Sequence, residues 1–139
     1  MSESTEKNVE TNTWAKSIFA VTLFVEDIET CKAFYQKVFD LPVIFEDDDG
    51  NSAVFKFGDV LINLLKVSAA PELVNPAKIA APDAGSRFVI TIPVDDVDAL
   101  CEQLLAKGVT LLNGPMDRPW GPRTASFKDP AGYIWEIAK

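Results

Sequence analysis

The chain contains no histidine. Catalytic zinc, iron and nickel sites usually need at least three protein ligands with imidazole prominent among them, so this absence removes their commonest donor. Cysteine is nearly as scarce: Cys31 and Cys101 are the only two in 139 residues, too few for a disulfide-stapled scaffold. Long apolar runs are missing as well. Ile18 to Val21 is one short stretch, and the run from Val60 to Leu65 is broken by Asn63; a membrane span requires roughly 20 residues. Met1 to Thr13 lack an apolar segment and a small-residue cleavage site, so they read as a polar, disordered N-terminal tail rather than a secretory signal. A cytoplasmic protein is expected. Basic charge is in deficit, with 13 Lys and Arg against 21 Asp and Glu and a net charge of −8, which repels a phosphate backbone and disfavours nucleic acid as a partner. The acidic groups are spread over Glu26 to Glu29, Glu46 to Asp49 and Asp95 to Asp98, as solvated turns and helix starts would be.

What is present suffices for one domain over residues 14–139. Apolar residues make up 47% of the chain and charged ones 24%, an ordinary globular balance, and a chain of this size buries roughly two thirds of its unfolded surface. The chain also repeats itself. Ala20-Val-Thr-Leu-Phe-Val-Glu-Asp-Ile28 aligns without a gap on Val89-Ile-Thr-Ile-Pro-Val-Asp-Asp-Val97, with Thr22 over Thr91, Val25 over Val94 and Asp27 over Asp96. In each copy a β-rich run ends at an aspartate able to accept the free amide hydrogens of a helix's first turn. Apolar residues then recur at helical spacing: Ile28, Cys31, Phe34, Tyr35 and Val38 in one copy, Val97, Leu100, Cys101, Leu104 and Leu105 in the other. Each helix therefore buries one stripe. Both cysteines fall on those stripes, where free cysteine behaves as a small hydrophobe.

The first helix should end near Asp40, before Pro42, and the second at Gly108. Strands are expected at Val43 to Glu46, Ser52 to Phe57 and Val60 to Leu65, then at Val109 to Leu112, Thr124 to Lys128 and Tyr133 to Ala138, with turns at Gly58-Asp59 and Asp129 to Gly132. The reading is an α+β fold of two βαβββ modules, residues 17–66 and 87–139. The connector of 67–86, rich in Pro and Ala, is long enough to cover a site or a partner surface, or to be a passive crossover.

Val21-Thr-Leu-Phe-Val-Glu-Asp-Ile28 with Ala33-Phe34-Tyr35, and Arg123-Thr-Ala-Ser-Phe-Lys-Asp-Pro-Ala-Gly-Tyr-Ile-Trp-Glu-Ile137, resemble the vicinal oxygen chelate superfamily of glyoxalases, bleomycin-resistance proteins and extradiol dioxygenases. The resemblance implies that each module curls into half of an open mixed-sheet barrel or cup, and that a homodimer completes it. It also implies metal ligands on the first and last strand of each module. Here those positions hold Ala20, Asn63, Val89 and Glu136, of which only Glu136 is a strong ligand type. No metal and no other cofactor is expected.

Strand alternation puts Glu136 on one face with Ile134 and Ala138, opposite Tyr133, Trp135 and Ile137. If that face lines the cup, the carboxylate stands in a mostly apolar pocket and qualifies as an acid, a base or a hydrogen-bond acceptor; otherwise it is an ancestral remnant, solvated or paired with Arg123. Asn63 interrupts an apolar strand and needs a partner, either a ligand or Glu136. Phe24, Phe57, Phe55 and Trp120 are candidates for stacking on a planar ligand, although most aromatics must serve the core. Trp120 stands out because it lies in a loop between Pro119 and Gly121. Arg123 could hold an anion or form a surface ion pair.

Two functions fit. One is metal-independent binding or sequestration of a flat, cationic or aromatic small molecule, in the manner of the bleomycin-resistance branch. The other is a divergent enzyme of lyase, isomerase or dioxygenase type that uses Glu136. An interaction subunit without a ligand is a third possibility.

Overall fold

The structure, a computed structural model, describes residues 14–139; the expected N-terminal tail lies outside them. The first module comprises β1 (Ala20–Val25), α1 (Ile28–Val38), β2 (Phe45–Glu46), β3 (Ser52–Phe57) and β4 (Val60–Lys66). A short α2 (Pro71–Val74) interrupts the connector, and the second module follows as β5 (Val89–Pro93), α3 (Val97–Ala106), β6 (Leu111–Asp117), β7 (Arg123–Lys128) and β8 (Ile134–Ala138). The two βαβββ units foreseen from the repeat are thus the observed ones. Both aspartates cap as expected: Asp27 accepts from the Thr30 amide at 3.1 Å and Asp96 from the Ala99 amide at 3.0 Å. Gly108, with φ of +88°, turns the chain just after α3, a conformation glycine reaches without a Cβ penalty.

Each module forms a four-stranded mixed sheet, in the orders β1-β4-β3-β2 and β5-β8-β7-β6. The first and last strands of a module run parallel and the other neighbours antiparallel. One side of each sheet is apolar and buried: Leu23, Val25, Phe55, Ile62 and Leu64 in the first, Ala125, Phe127, Trp135 and Ile137 in the second. These sides share a single core with Cys31 and Tyr35 of α1 and Cys101 and Leu104 of α3. Phe57 stacks on Trp135 with ring centroids 5.1 Å apart, and Phe39 approaches the same indole at 4.8 Å. The sheets therefore stand back to back, and their opposite, outer faces look away from one another. Both cysteines are buried and free.

A buried carboxylate fastens the modules together. Asp129, in the β7–β8 turn, accepts from the Tyr35 hydroxyl of α1 at 2.7 Å, from Trp135 Nε1 at 3.3 Å, and from the amides of Ala131 and Tyr133 at 3.0 Å each. Tyr133 in turn donates its hydroxyl to the Phe24 carbonyl at 2.7 Å.

Five of the expected strands have different limits: β4 runs one residue further, to Lys66, and β7 begins one residue earlier, at Arg123. The strand expected at Val43 to Glu46 keeps only its last two residues, and that expected at Tyr133 begins at Ile134. The one expected at Val109 to Leu112 instead runs from Leu111 to Asp117 through Gly114 and Pro115. Those residues belong to an irregular ladder: Leu111 pairs with Phe127, Asn113 with Ser126 and Met116 with Thr124, with register shifts between the pairs. Such bulges bend a strand and re-aim its side chains.

Candidate functional site

Register makes the two modules comparable residue by residue. Thr22 of β1 lies opposite Asn63 of β4, and Thr91 of β5 lies opposite Glu136 of β8. Asn63 and Glu136 thus occupy equivalent places, each beside a threonine. Because Leu23, Ile62, Leu64, Trp135 and Ile137 face the core, period-two alternation directs Thr22, Asn63, Thr91 and Glu136 to the outer faces. The Thr91 hydroxyl donates to Glu136 Oε1 at 2.9 Å, whereas Asn63 Nδ2 reaches Thr22 Oγ1 only at 3.5 Å. Neither of the partners expected from sequence is found: Asn63 does not pair with Glu136, nor Glu136 with Arg123.

Asn63 Oδ1 is buried and has no hydrogen-bond partner. Exchanging the amide's oxygen and nitrogen would leave the nitrogen in the same position, so one atom of this group stays unsatisfied in either orientation. Its surroundings supply little else: the neighbouring outer-face residues across the first sheet are Ala20, Phe24, Val54, Leu61 and Leu65, with Ser52 and Lys56 toward the edges. Glu136 is flanked differently. Thr91 and Ser126 are its cross-strand neighbours, so its pocket is more polar than sequence implied.

The metal positions implied by the resemblance hold alanine, asparagine, valine and glutamate, and among the described residues no three His, Cys, Asp or Glu side chains converge. Ala20 and Val89 have no donor atom, which leaves one amide and one carboxylate, fewer than the three protein ligands such a site usually needs. This donor set does not fit the superfamily's divalent metal.

Sequence reading missed Arg118. The bulged register of β6 brings Asn113 opposite Ser126, on the face shared with Glu136. Arg118, at the tip of the β6–β7 hairpin, is pinned there. Its Nε donates to Thr124 Oγ1 at 2.7 Å, Nη2 to Asn113 Oδ1, and Nη1 to Met116 Sδ at 2.9 Å. Thr124, opposite Ala138 on the outer face, is only 1% exposed. Trp120 is 67% exposed at the hairpin tip, its ring 6.0 Å from the Arg118 guanidinium.

Arg123 has the opposite parity. Its guanidinium makes two 2.8 Å bonds to Asp98 of α3 and one of 3.0 Å to Asp117. These bonds raise the arginine's already high pKa and hold the Asp98 carboxyl below its ordinary range. With three donors committed to two carboxylates, Arg123 joins α3 to its sheet instead of standing over the outer face.

Phe57 and Phe24 are also separated. Phe57 lies on the core side and lines a hollow of about 610 Å³ with Val21, Ile62, Ile90, Ile92 and Trp135. Phe24 borders a second hollow of about 400 Å³ with Phe88, Tyr133 and connector residues Ala80 to Arg87, so part of the connector does wall a cleft. Among the described residues, no helix is long and apolar enough to cross a membrane.

Comparison with known proteins agrees with this geometry. The sequence model of the Glyoxalase/Bleomycin resistance protein/Dioxygenase superfamily matches residues 17–137. An uncharacterized Bacillus subtilis (strain 168) protein, YraH, is 32% identical over 124 residues, which is 88% of this chain and 97% of the relative. A glyoxalase/bleomycin resistance protein/dioxygenase from Nocardioides superposes with a TM-score of 0.80 at 22% identity, covering 91% of this chain and 85% of its own. Lactoylglutathione lyase from Agrobacterium tumefaciens gives 0.72 at 22% identity, covering 91% and 95%. A glyoxalase-related enzyme from Fulvimarina pelagi gives 0.75 at 25% identity, covering 88% and 87%.

Proposed function

Because this chain belongs to the Glyoxalase/Bleomycin resistance protein/Dioxygenase superfamily, we propose that it is a metal-independent binding protein, which takes a small planar or amphipathic molecule on the outer faces of its sheets. The observation that carries this reading is the buried, partnerless Oδ1 of Asn63. Leaving such an atom unsatisfied costs about 1–3 kcal/mol, and a ligand's donor group would recover that energy on binding. The depleted donor set, one amide and one carboxylate at four ligand positions, supports the metal-independent part.

A homodimer completes the site in this reading. Within the chain β1 and β5 are each bonded to one neighbour only, and Phe19, Phe88 and Val89 are exposed beside them. Pairing β1 of one copy with β5 of another would satisfy both edges. It would also set the Asn63 face of one copy beside the Glu136 face of the other and cover the apolar hollow between the edge strands.

The test is a thermal-shift titration of wild type and Asn63→Leu with neutral, anionic and cationic planar compounds. At least one compound should stabilise the wild type by about 2.7 kcal/mol at a concentration one hundred times its Kd. Asn63→Leu should be as stable as wild type or more stable without ligand, yet lose that response. No response to any compound, or an equal response in the variant, rejects the reading. Stoichiometric zinc, nickel, manganese or iron(II) retained through dialysis overturns the metal-independent part, and lactoylglutathione lyase turnover lost in Glu136→Gln would replace binding by catalysis.

A further inference from the structure

We infer that Arg118 and Trp120 form an anion-recognising subsite on the outer face of the second sheet, and that the molecule it takes is a planar carboxylate. This deepens the binding reading and rests on it. A guanidinium has five N–H donors. In Arg118 three go to Thr124, Asn113 and Met116, which leaves one hydrogen on each terminal nitrogen. Two such donors are what a carboxylate engages in a fork-to-fork pair.

The three anchors also fix the group before any ligand arrives. A free arginine loses much rotamer entropy when it closes on an anion; one already held by a hydroxyl, an amide and a thioether has lost it on folding. Thr124 is buried at this contact, so the guanidinium is held against the sheet rather than extended into solvent.

The local charge distribution is the second observation. The chain carries 21 acidic residues against 13 basic ones, yet among the described residues no carboxylate forms an ion pair with Arg118. Its sequence neighbour Asp117 is taken by Arg123, which also binds Asp98. The Glu136 carboxylate is engaged by Thr91, toward the β5 side. Other cations among the described residues also lack an ion pair, and what sets Arg118 apart from them is its immobilisation by three side-chain hydrogen bonds.

Trp120 supplies planarity. Its ring stands 6.0 Å from the guanidinium and is largely exposed, so a flat conjugated ligand can lie against the indole while its carboxylate meets the two free N–H groups. The cationic ligand suggested by net charge alone is disfavoured at this face, because Arg118 would oppose it. Gly114 makes the arrangement possible: its φ is +83°, and a Cβ there would collide with the Thr124 carbonyl oxygen and approach Ala125 Cα to 2.8 Å. Only glycine lets β6 bulge closely enough to β7 for Asn113 and Met116 to reach Arg118.

The experiment is calorimetric titration of the full chain with 1-naphthoate, its neutral analogue 1-naphthamide, and 1-naphthylmethylammonium. Naphthoate should bind about ten- to a hundredfold more tightly than the amide, the range expected of a charge-assisted bond, and the ammonium most weakly. Arg118→Met should erase the preference for naphthoate over the amide. Arg118→Lys, which keeps the charge and the aliphatic stem but loses the planar fork, should retain only part of it and serves if the methionine variant does not fold. Equal binding of all three probes, or an unchanged preference in Arg118→Lys and Arg118→Met, overturns the subsite and leaves the binding reading standing. If none of the three probes binds, the subsite is also overturned, and the broader Asn63 titration judges the binding reading separately.

Discussion

Replacing Asp129 by alanine should cost the protein about 3–5 kcal/mol. Tyr35 is 0% exposed and Trp135 1% exposed, so neither can turn to water when the carboxylate is lost. An unsatisfied buried donor costs about 1–3 kcal/mol; the 2.7 Å hydroxyl bond belongs at the upper end of that range and the 3.3 Å indole bond at the lower. The amides of Ala131 and Tyr133 lie in a half-buried turn that water can reach and add little. Set against a total stability of about 5–15 kcal/mol, the loss should lower Tm by roughly 10–15 °C for a domain of this size. Urea denaturation followed by circular dichroism measures it. Tyr35→Phe alone should lose about 1.5–3 kcal/mol, and the double variant should fall well short of the sum, since both changes break one bond. A loss below about 1 kcal/mol in Asp129→Ala, or simple additivity, would refute the assignment of this carboxylate as the clamp between modules.

The same group predicts a pH dependence. Burial raises the Asp129 carboxyl above its ordinary 3.8, against the opposing pull of its hydrogen-bond donors, while burial and the adjacent carboxylate raise Tyr35 and keep its proton in place. The folded state then binds the Asp129 proton more tightly than the unfolded state. Its favourable contribution is complete below 3.8 and lost as pH rises through the raised native value, so the stability of wild type relative to Asp129→Asn should decline across that window; an increase would contradict the sign. Gly114→Ala should destabilise the fold by about 2–5 kcal/mol, from left-handed strain together with backbone overlap; a melting curve unchanged within 2 °C would argue against the close β6–β7 approach. Burial pushes the Cys31 thiol up to about 12 and raises Cys101 as well, so neither should react with a disulfide reagent at pH 8 in the folded protein, and both should react in urea. Arg123→Gln, which releases Asp117 beside Arg118, should weaken naphthoate binding in calorimetry, though by less than Arg118→Met does.

The parts of the fold that were legible in sequence are those specified locally. Asp27 and Asp96 announce helix starts because a cap needs only a carboxylate and the next three residues, and the apolar spacing after each reports one buried stripe whatever lies opposite. Ser52 to Phe57 is bounded by turn residues on both sides and matches its observed limits. Asn63 was visible because it interrupts an apolar strand, and its register opposite Thr22 then made it the structural counterpart of Glu136. β6 was hidden: Gly114 and Pro115 are turn signals in isolation, and only their pairing with β7 converts them into a bulge. Asp129 looked like a turn residue because its chief partner, Tyr35, is 94 positions away.

The exchange of Arg123 for Arg118 has the same origin. Both arginines flank Trp120, and nothing local distinguishes them. Once the β7–β8 register puts Ser126 opposite Glu136, however, parity sends Thr124 to the outer face and Arg123 to the α3 side, where Asp98 waits. Arg123 thereby takes Asp117 as well, and the cation left on the outer face is the one whose neighbouring acid has been used. The ligand class inferred for this protein thus depends less on its net charge of −8 than on which of two nearby arginines the sheet register leaves without a carboxylate.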